Sequence, residues 1–458
     1  MLGEIIADLS NWMYTYLLVI LLVAAGLFFT IRNRFPQLRL LREAIRVVVE
    51  RPEKEGSVSS FQALMVSTAS RVGTGNIIGI STAICLGGFG AVFWMWVVAL
   101  LGGASAFIES ALAQVYKKKD GKGGCVGGPS YYMEQALHQR WLGVIFAVVL
   151  ILTYVVGYNM LASYNLQDAF AGFGFYAKGR TPYIIGAILA VLFAACVLGG
   201  GKRLTNITGV LVPVMGVLYI LVSLVVIFMN IKIFPSVIAN IFRDAFNFKA
   251  AFSGFAGSCI MWGIKRGLYS NEAGMGSTPH AHALANVKNP HEQGTVAIIG
   301  VFIDMFIILT LNALVIISTL YAGDGPLAGC GAAALSSTFN KTNLAQCAFG
   351  TVFGYKAGSM FVAICLFFFA FSTILSWNLF GKINMVYLFG KKSANVYTLL
   401  ALIFIFLGTT MSNDLVWELS DMLNQLMVIP NAIALLALTS HVVKHSHTPD
   451  RLSGRENG

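Results

Sequence analysis

Charge is what this chain has least of. Asp, Glu, Lys and Arg make up 11% of its 458 residues, where a soluble domain carries about 25%. With 57% hydrophobic residues and a mean hydropathy of +0.74, that scarcity excludes a soluble globular protein and leaves a polytopic membrane protein. Other absences narrow the field further. No basic segment precedes the first apolar stretch, Trp12 to Ile31, so it reads as a retained span and not a cleaved signal. His280, His282, His291 and Glu292 fit neither His-Glu-x-x-His nor zinc-module spacing. They fall in an expected cytoplasmic loop, and no metal centre is expected there. Gly73 and Gly75 follow no strand and no βαβ unit, which excludes a nucleotide-binding fingerprint. No catalytic constellation appears, so an enzyme is not expected, and neither is a cofactor.

Cysteine is also sparse. Of seven, Cys85, Cys125, Cys196, Cys259 and Cys365 lie in or beside apolar spans and read as small core residues. Cys330 and Cys347 share a polar loop, and a disulfide between them is one possibility if that loop faces an oxidising exterior. The net charge of +11 does not point to nucleic acid, because the basic residues cluster in short loops beside apolar spans.

What is present is a succession of apolar runs of membrane-crossing length, about eleven by the twenty-residue rule. They cover approximately 12–31, 61–86, 89–116, 141–167, 181–199, 206–230, 250–275, 295–320, 357–389, 395–411 and 414–442. The loops with Arg32 to Lys54, Lys117 to Lys122, Lys202 and Arg203, Lys391 and Lys392, and Lys444 and Arg451 fall on one side, expected to be cytoplasmic. Lys178 and Arg180, and Lys232, Arg243 and Lys249, are the exceptions. The N-terminus is then outside and the C-terminus inside a plasma membrane. Between the first two spans, Phe35, Leu38, Leu41, Ile45 and Val48 recur at helical spacing among arginines, as in a helix lying on a leaflet. The tail from 444 to 458 reads as polar and frayed.

Two spans are interrupted. Val72-Gly73-Thr74-Gly75-Asn76 sits mid-way along the second. A glycine weakens a helix by about 1 kcal/mol relative to alanine, and in lipid the freed peptide groups need partners from protein or a cavity. In a carrier the cargo itself is such a partner. The seventh span carries the other interruption, with Gly263 and Gly267 flanking Lys265 and Arg266. The odd five-span offset is what two inverted repeats, 58–235 and 236–443, would give. The segment 1–57 would then be an extra leading helix and linker.

Four ordered motifs carry a resemblance. They are Arg71-Val72-Gly73-Thr74-Gly75-Asn76-Ile77; Gly87-Gly88-Phe89-Gly90-Ala91-Val92-Phe93-Trp94-Met95-Trp96; the run from Gly263 through Lys265-Arg266-Gly267-Leu268-Tyr269-Ser270-Asn271-Glu272-Ala273-Gly274-Met275-Gly276-Ser277; and Phe369-Ala370-Phe371-Ser372-Thr373-Ile374-Leu375-Ser376-Trp377. Together they resemble the alanine or glycine:cation symporter family. The resemblance implies an all-α fold of the LeuT type, five plus five helices in inverted repeat with one added, and sodium-driven or sometimes proton-driven import of alanine or glycine.

On that reading the amides of Thr74, Gly75 and Asn76 meet the cargo carboxylate at a half-helix N-terminus. Carbonyls freed between Gly263 and Leu268 meet its ammonium. Ile264, Gly267, Leu268 and Trp377 close around the α-substituent; the alternative for Trp377 is an interface-belt tryptophan. The carbonyls of Ala69 and Val72 with the hydroxyls of Ser372 and Thr373 would hold sodium, unless the hydroxyls merely bond their own helix. Asn76 would bridge cargo and cation. Buried charges are functional by default; Arg71 and Arg266 are expected to pair with Glu272 or Asp304 as a gate or as a static brace, with Glu109 and Lys265 also inside the membrane. A monomer is expected. Proton coupling, an ion channel and a membrane-embedded enzyme using the histidines are the rival readings.

Overall fold

The computed structural model describes residues 12–50, 52, 57–120, 124–197, 200–247, 258–330 and 339–446. A π-helical turn at Met13–Leu18 leads into α1, Val19–Arg32. The linker helix α2, Leu41–Val49, follows. Helix α3, Ser60–Arg71, opens on a capping box in which Ser59 and Gln62 satisfy each other's backbone amides at 3.1 Å, the usual start signal for a helix. Helix α4, Ile78–Gly87, continues beyond the first break, and α5, Gly90–Val115, follows it. A two-residue hairpin pairs β1, Lys118–Lys119, with β2, Cys125–Val126. Then come α6, Pro129–Ala136, and α7, Arg140–Asp168, which contains a π-helical turn at Thr153–Tyr158. Helices α8, Thr181–Val197, α9, Gly200–Met229, and α10, Phe234–Ala245, complete the first part. The second part holds α11, Cys259–Asn271, α12, Pro279–Leu284, α13, Pro290–Tyr321, α14, Leu344–Phe353, α15, Tyr355–Phe389, α16, Ser393–Gly408, and α17, Asn413–Ser446.

Among the described residues, α5, α7, α13, α15, α17 and most of α9 are long and apolar enough to cross a membrane. Their ends fall within a few residues of the expected spans. Residues 250–257 of the expected seventh span lie outside the described residues. The expected loop from Tyr321 to Tyr355 contains α14. No disulfide joins Cys330 to Cys347: the first is exposed in the loop, while the second is buried on α14.

Helix α5 is the centre of the packing, lying against α11, α13 and α1. Its run Gly102-Gly103-Ala104-Ser105-Ala106 is entirely buried. Small side chains let helices in a membrane approach closely; a Cβ on Gly102 would come within 3.0 Å of the Ala273 Cβ. Helices α8, α9 and α16 instead turn large apolar residues outward, among them Ile184, Val191, Val214, Phe228 and Leu399, as lipid-facing helices do. Helix α2 differs from the expected arrangement. It buries Leu40, Ala44 and Val47 and packs on α13, while Phe35, Leu38 and Ile45 of the expected stripe stay 51–67% exposed. The linker thus has one apolar face on the protein and a second one facing outward.

Candidate functional site

The first break forms where the sequence places it. Helix α3 stops at Arg71, the chain turns at Val72, Gly73 is extended, and Thr74–Asn76 form a single 3-10 turn before α4. The Asn76 side chain braces this turn: its Oδ1 accepts from the Gly73 amide at 3.1 Å and its Nδ2 donates to Asp304 Oδ1 at 2.7 Å. Its own amide is taken by the Gly73 carbonyl. Asn76 therefore braces the break against Gly73 and Asp304. The amides of Thr74 and Gly75 have no acceptor among the described residues, and the buried Thr74 hydroxyl has no partner.

The second break is displaced from its expected position. Helix α11 runs unbroken through Gly263, Ile264, Gly267 and Leu268 to Asn271. Those carbonyls are consumed by the helix, Leu268 accepting from the Glu272 amide at 3.2 Å, so they offer nothing to an ammonium. Gly267 serves packing, with a Cβ there 3.4 Å from Met95. Ile264 and Leu268 are buried on the same helix. It is Tyr269 and Ser270 that lie against Gly75. Chain reversal out of α11 comes at Glu272, Gly274 and Gly276, with φ of 51°, 77° and 82°. Glycine takes these values without strain; Glu272 is held there by its side chain. Ser70 and Ser277 donate to its Oε2 at 2.8 and 2.7 Å, and Trp377 Nε1 donates to its Oε1 at 2.7 Å.

Two further charged groups hold this break: Glu109, given no role by sequence, and Arg71, expected from sequence to pair with Glu272 or Asp304. The buried Glu109 on α5 accepts from the amides of Gly274 and Gly276, each at 3.1 Å, and from Asn431 on α17 at 3.2 Å. Successive amides turned toward one carboxylate form an anion-binding nest. Arg71 donates through Nε to the Asn271 carbonyl at 2.7 Å and through Nη2 to Thr278 at 2.9 Å. It thus caps the C-terminal end of α11, where cations are favoured, and spans the second break from the end of α3. Among the described residues it forms no ion pair with Glu272 or Asp304 within 4 Å. Arg266 does not pair with them either: it faces Asp421 on α17 at 3.3 Å, and Lys265 shares that carboxylate at 3.0 Å. Trp262 and Trp417 flank the Arg266 guanidinium. These groups border a cavity of about 230 Å³ that reaches Lys341 and Asp414.

His280 and His282, expected in a loop, are fully buried on α12. His280 stacks between Phe146 and Phe380, with Nδ1 on the Ser277 carbonyl at 2.7 Å and Nε2 on Asn384 at 2.8 Å. His282 meets Gln293 at 3.0 Å. The His280 ring is bonded at both nitrogens, whereas the buried His282 Nε2 has no partner among the described residues.

Between the breaks stands an aromatic wall. Trp377 lies 4.4 Å from Tyr158 and 6.1 Å from Tyr154, centroid to centroid, and Tyr158 lies 5.5 Å from Tyr269. Trp377 is 3% exposed, which rules out an interface-belt role. The hydroxyls of Tyr154, Tyr158, Tyr269 and Ser376 are buried with no partner among the described residues. Buried polar groups are as a rule bonded, so a concentration of unbonded donors and acceptors beside free amides marks a place where a polar ligand is received.

Of the expected cation residues, Thr373 meets Ala69 and Val72, whereas Ser372 bonds back to its own helix and faces Met215 Sδ at 3.8 Å. Thr373 Oγ1 lies 2.7 Å from the Ala69 carbonyl, 3.5 Å from that of Val72 and 2.7 Å from that of Phe369. Ser372 Oγ is 3.0 Å from the Phe369 carbonyl. One hydroxyl proton cannot serve three carbonyls. The three carbonyls and the Thr373 hydroxyl, crowded and without a carboxylate, make a candidate site for a small hard cation. The Phe369 carbonyl was not legible in sequence, since any residue supplies one. Gly73 makes the approach of the two helices possible: a Cβ there would stand 2.7 Å from Thr373 Oγ1. Gly73→Ala is expected to push Thr373 aside and raise the sodium concentration for half-maximal activity several-fold with little change in amount of folded protein; an unaltered sodium dependence would count against the cage.

The profile described as the sodium:alanine symporter family matches residues 1–451. The chain belongs to that family. It is 37% identical to the sodium/alanine symporter AgcS of Methanococcus maripaludis over 97% of this chain and 96% of that one. It is 39% identical to the probable sodium/glutamine symporter GlnT of Bacillus subtilis over 96% and 89%. Among solved structures it is similar to the LeuT-fold MhsT in complex with L-phenylalanine, with a TM-score of 0.60 at 14% identity, covering 88% of this chain and 95% of that one. For the family member described here, that likeness establishes the LeuT-type fold.

Proposed function

We propose that this chain is a sodium-coupled symporter that brings small neutral amino acids, alanine and glycine, into the cell by alternating access. The observation that carries the reading is the pairing of a four-oxygen cage, the carbonyls of Ala69, Val72 and Phe369 with the Thr373 hydroxyl, with the free amides of Thr74 and Gly75 on the same break. Cation and cargo then hold one segment in one shape, so each stabilises the site of the other. The cargo carboxylate rests on the Thr74 and Gly75 amides, and the Tyr158, Tyr269 and Trp377 wall limits the side chain. Residues 58–235 and 236–443 act as two inverted repeats, in a monomer of the plasma membrane with its N-terminus outside and its C-terminus in the cytoplasm. The work of transport comes from the sodium gradient, and no chemical step is required of the protein.

The test is uptake of radiolabelled alanine into proteoliposomes under an inward sodium gradient at fixed pH. Uptake should follow sodium and be competed by glycine more strongly than by glutamine. Uptake driven by a proton gradient without sodium would overturn the coupling, and stronger competition by glutamine would overturn the cargo size.

A further inference from the structure

The linker between the first two spans is pinned to the protein on one side and presents an open, arginine-rich face on the other. Helix α1 ends in a fixed turn, where Arg34 and Phe35 take φ of 56° and 54°, values uncommon for residues other than glycine. Three bonds hold it: the Phe35 amide donates to the Thr30 carbonyl at 2.8 Å, Asn33 Nδ2 to the Phe29 carbonyl at 2.9 Å, and Gln37 Nε2 to the Thr30 hydroxyl at 3.2 Å. One helical turn, Pro36–Arg39, then leads into α2. Ala44 and Val47 of α2 are buried, whereas Arg42, Ile45, Arg46 and Val49 are exposed. Those four stand at i, i+3, i+4 and i+7, which is one face of a helix. Phe35, Leu38 and Arg39 are exposed just before it. Between residues 32 and 50 the exposed charges are five arginines, at 32, 34, 39, 42 and 46, and one acid, Glu50, which lies 3.4 Å from Arg46.

Neighbouring residues set the depth of this face. Glu43 Oε1 lies 3.6 Å from Nδ1 of His291, in the first turn of α13, and the His291 ring stands edge-on to Phe107 of α5. From its start at Gly90 to Phe107, α5 rises about 26 Å, close to the hydrocarbon thickness of about 30 Å. The linker thus lies where α13 enters the bilayer, at head-group depth. Exposed apolar side chains there can enter the acyl boundary, and guanidinium groups pair with phosphate in a planar, two-pronged contact. We propose that the outward face of the linker docks on an anionic leaflet, and that docking steadies α13 and through it the first break. The route is short: the buried face of α2 packs on α13, and Asp304 of α13 accepts from Asn76 Nδ2 at 2.7 Å. Charge complementarity selects a net-negative lipid, because the one exposed acid on the face is already engaged by Arg46.

The test uses the full-length protein in nanodiscs of phosphatidylcholine, with and without phosphatidylglycerol, and reads amide hydrogen exchange over residues 41–49, which reports local opening and needs no transport. Phosphatidylglycerol should slow exchange several-fold in wild type, since each basic side chain contributes about fivefold at an anionic surface. Arg39→Gln, Arg42→Gln and Arg46→Gln combined should abolish the slowing, and the same three positions changed to lysine should keep most of it. Lys391→Gln with Lys392→Gln, after α15, should leave it intact. In proteoliposomes the same lipid should raise the initial rate of alanine uptake in wild type and not in the triple glutamine variant, whose uptake in phosphatidylcholine should match wild type. Equal slowing in wild type and the glutamine variant would overturn the docking face. So would equal slowing by soluble glycerol phosphate, or slowing that appears only when two copies share a nanodisc, which would give the face to a second copy. Slowed exchange with unchanged uptake would overturn the route through α13.

Discussion

Thr373→Ala raises the sodium concentration for half-maximal uptake by roughly tenfold or more while leaving the alanine concentration dependence at saturating sodium nearly unchanged. The expectation rests on position. Thr373 Oγ1 stands between the carbonyls of Ala69, on α3, and Phe369, on α15, at 2.7 Å from each. Removing it takes one of four oxygens from the cage and leaves the carbonyls facing each other across a void. A bond to a charged group contributes about 1.5–3 kcal/mol, and each 1.4 kcal/mol is a factor of ten in affinity. Thr373→Ser keeps the oxygen and should recover most of the sodium affinity. Were both variants to show wild-type sodium dependence in proteoliposomes, the hydroxyl would be no more than a helix-to-helix hydrogen bond.

Asp421→Asn should do more damage than removal of either cation it serves. Lys265 and Arg266, both nearly buried, share the one carboxylate. Taking away one partner of a buried pair costs about 3–5 kcal/mol, because the remaining charge is left unpaired; here two charges would be left. Lys265→Met, by contrast, leaves Arg266 and Asp421 as a balanced pair, and Arg266→Met leaves Lys265 and Asp421. The expected order of thermal stability in detergent is wild type, then the two single cation variants, then Asp421→Asn, with uptake lost in the last. Because Asp421 sits on α17 and the cations on α11, this pair closes the cavity above the break, and amino-acid binding should outlast uptake in Asp421→Asn. Equal stability of Asp421→Asn and Lys265→Met would show that the carboxylate is not the shared anchor.

Legibility from the sequence followed the physics of each feature. Span positions were readable because apolar length is a property of the chain alone. The first break was readable because two glycines and an asparagine have no reason to stand mid-membrane unless the helix ends there. The second was misplaced because Gly263 and Gly267 looked like the same signal, yet they make room for α5: a Cβ on Gly263 would fall 2.6 Å from the Ala91 carbonyl. The true reversal uses Glu272, and a glutamate at positive φ has no sequence mark. Charge partners were the least legible part. Glu272 stands in the same motif as Arg266, six residues on, but the actual partner Asp421 lies 155 residues beyond Arg266, and nothing in the chain between them announces the pairing. Tyr154 and Tyr158 read as ordinary apolar-span residues until a π-helical turn at Thr153–Tyr158 carries them beside Trp377.

The cage around Thr373 is built from carbonyls and hydroxyls alone. An ion seated there is not neutralised by the protein, and an alanine zwitterion adds no net charge. With one sodium per cycle, each passage would carry one unit of current, and the membrane voltage would pull on it directly, by about 2.3 kcal/mol per 100 mV. That alone would sustain roughly a fiftyfold concentration ratio, so a hyperpolarised cell should fill with cargo even when sodium is equal on the two sides.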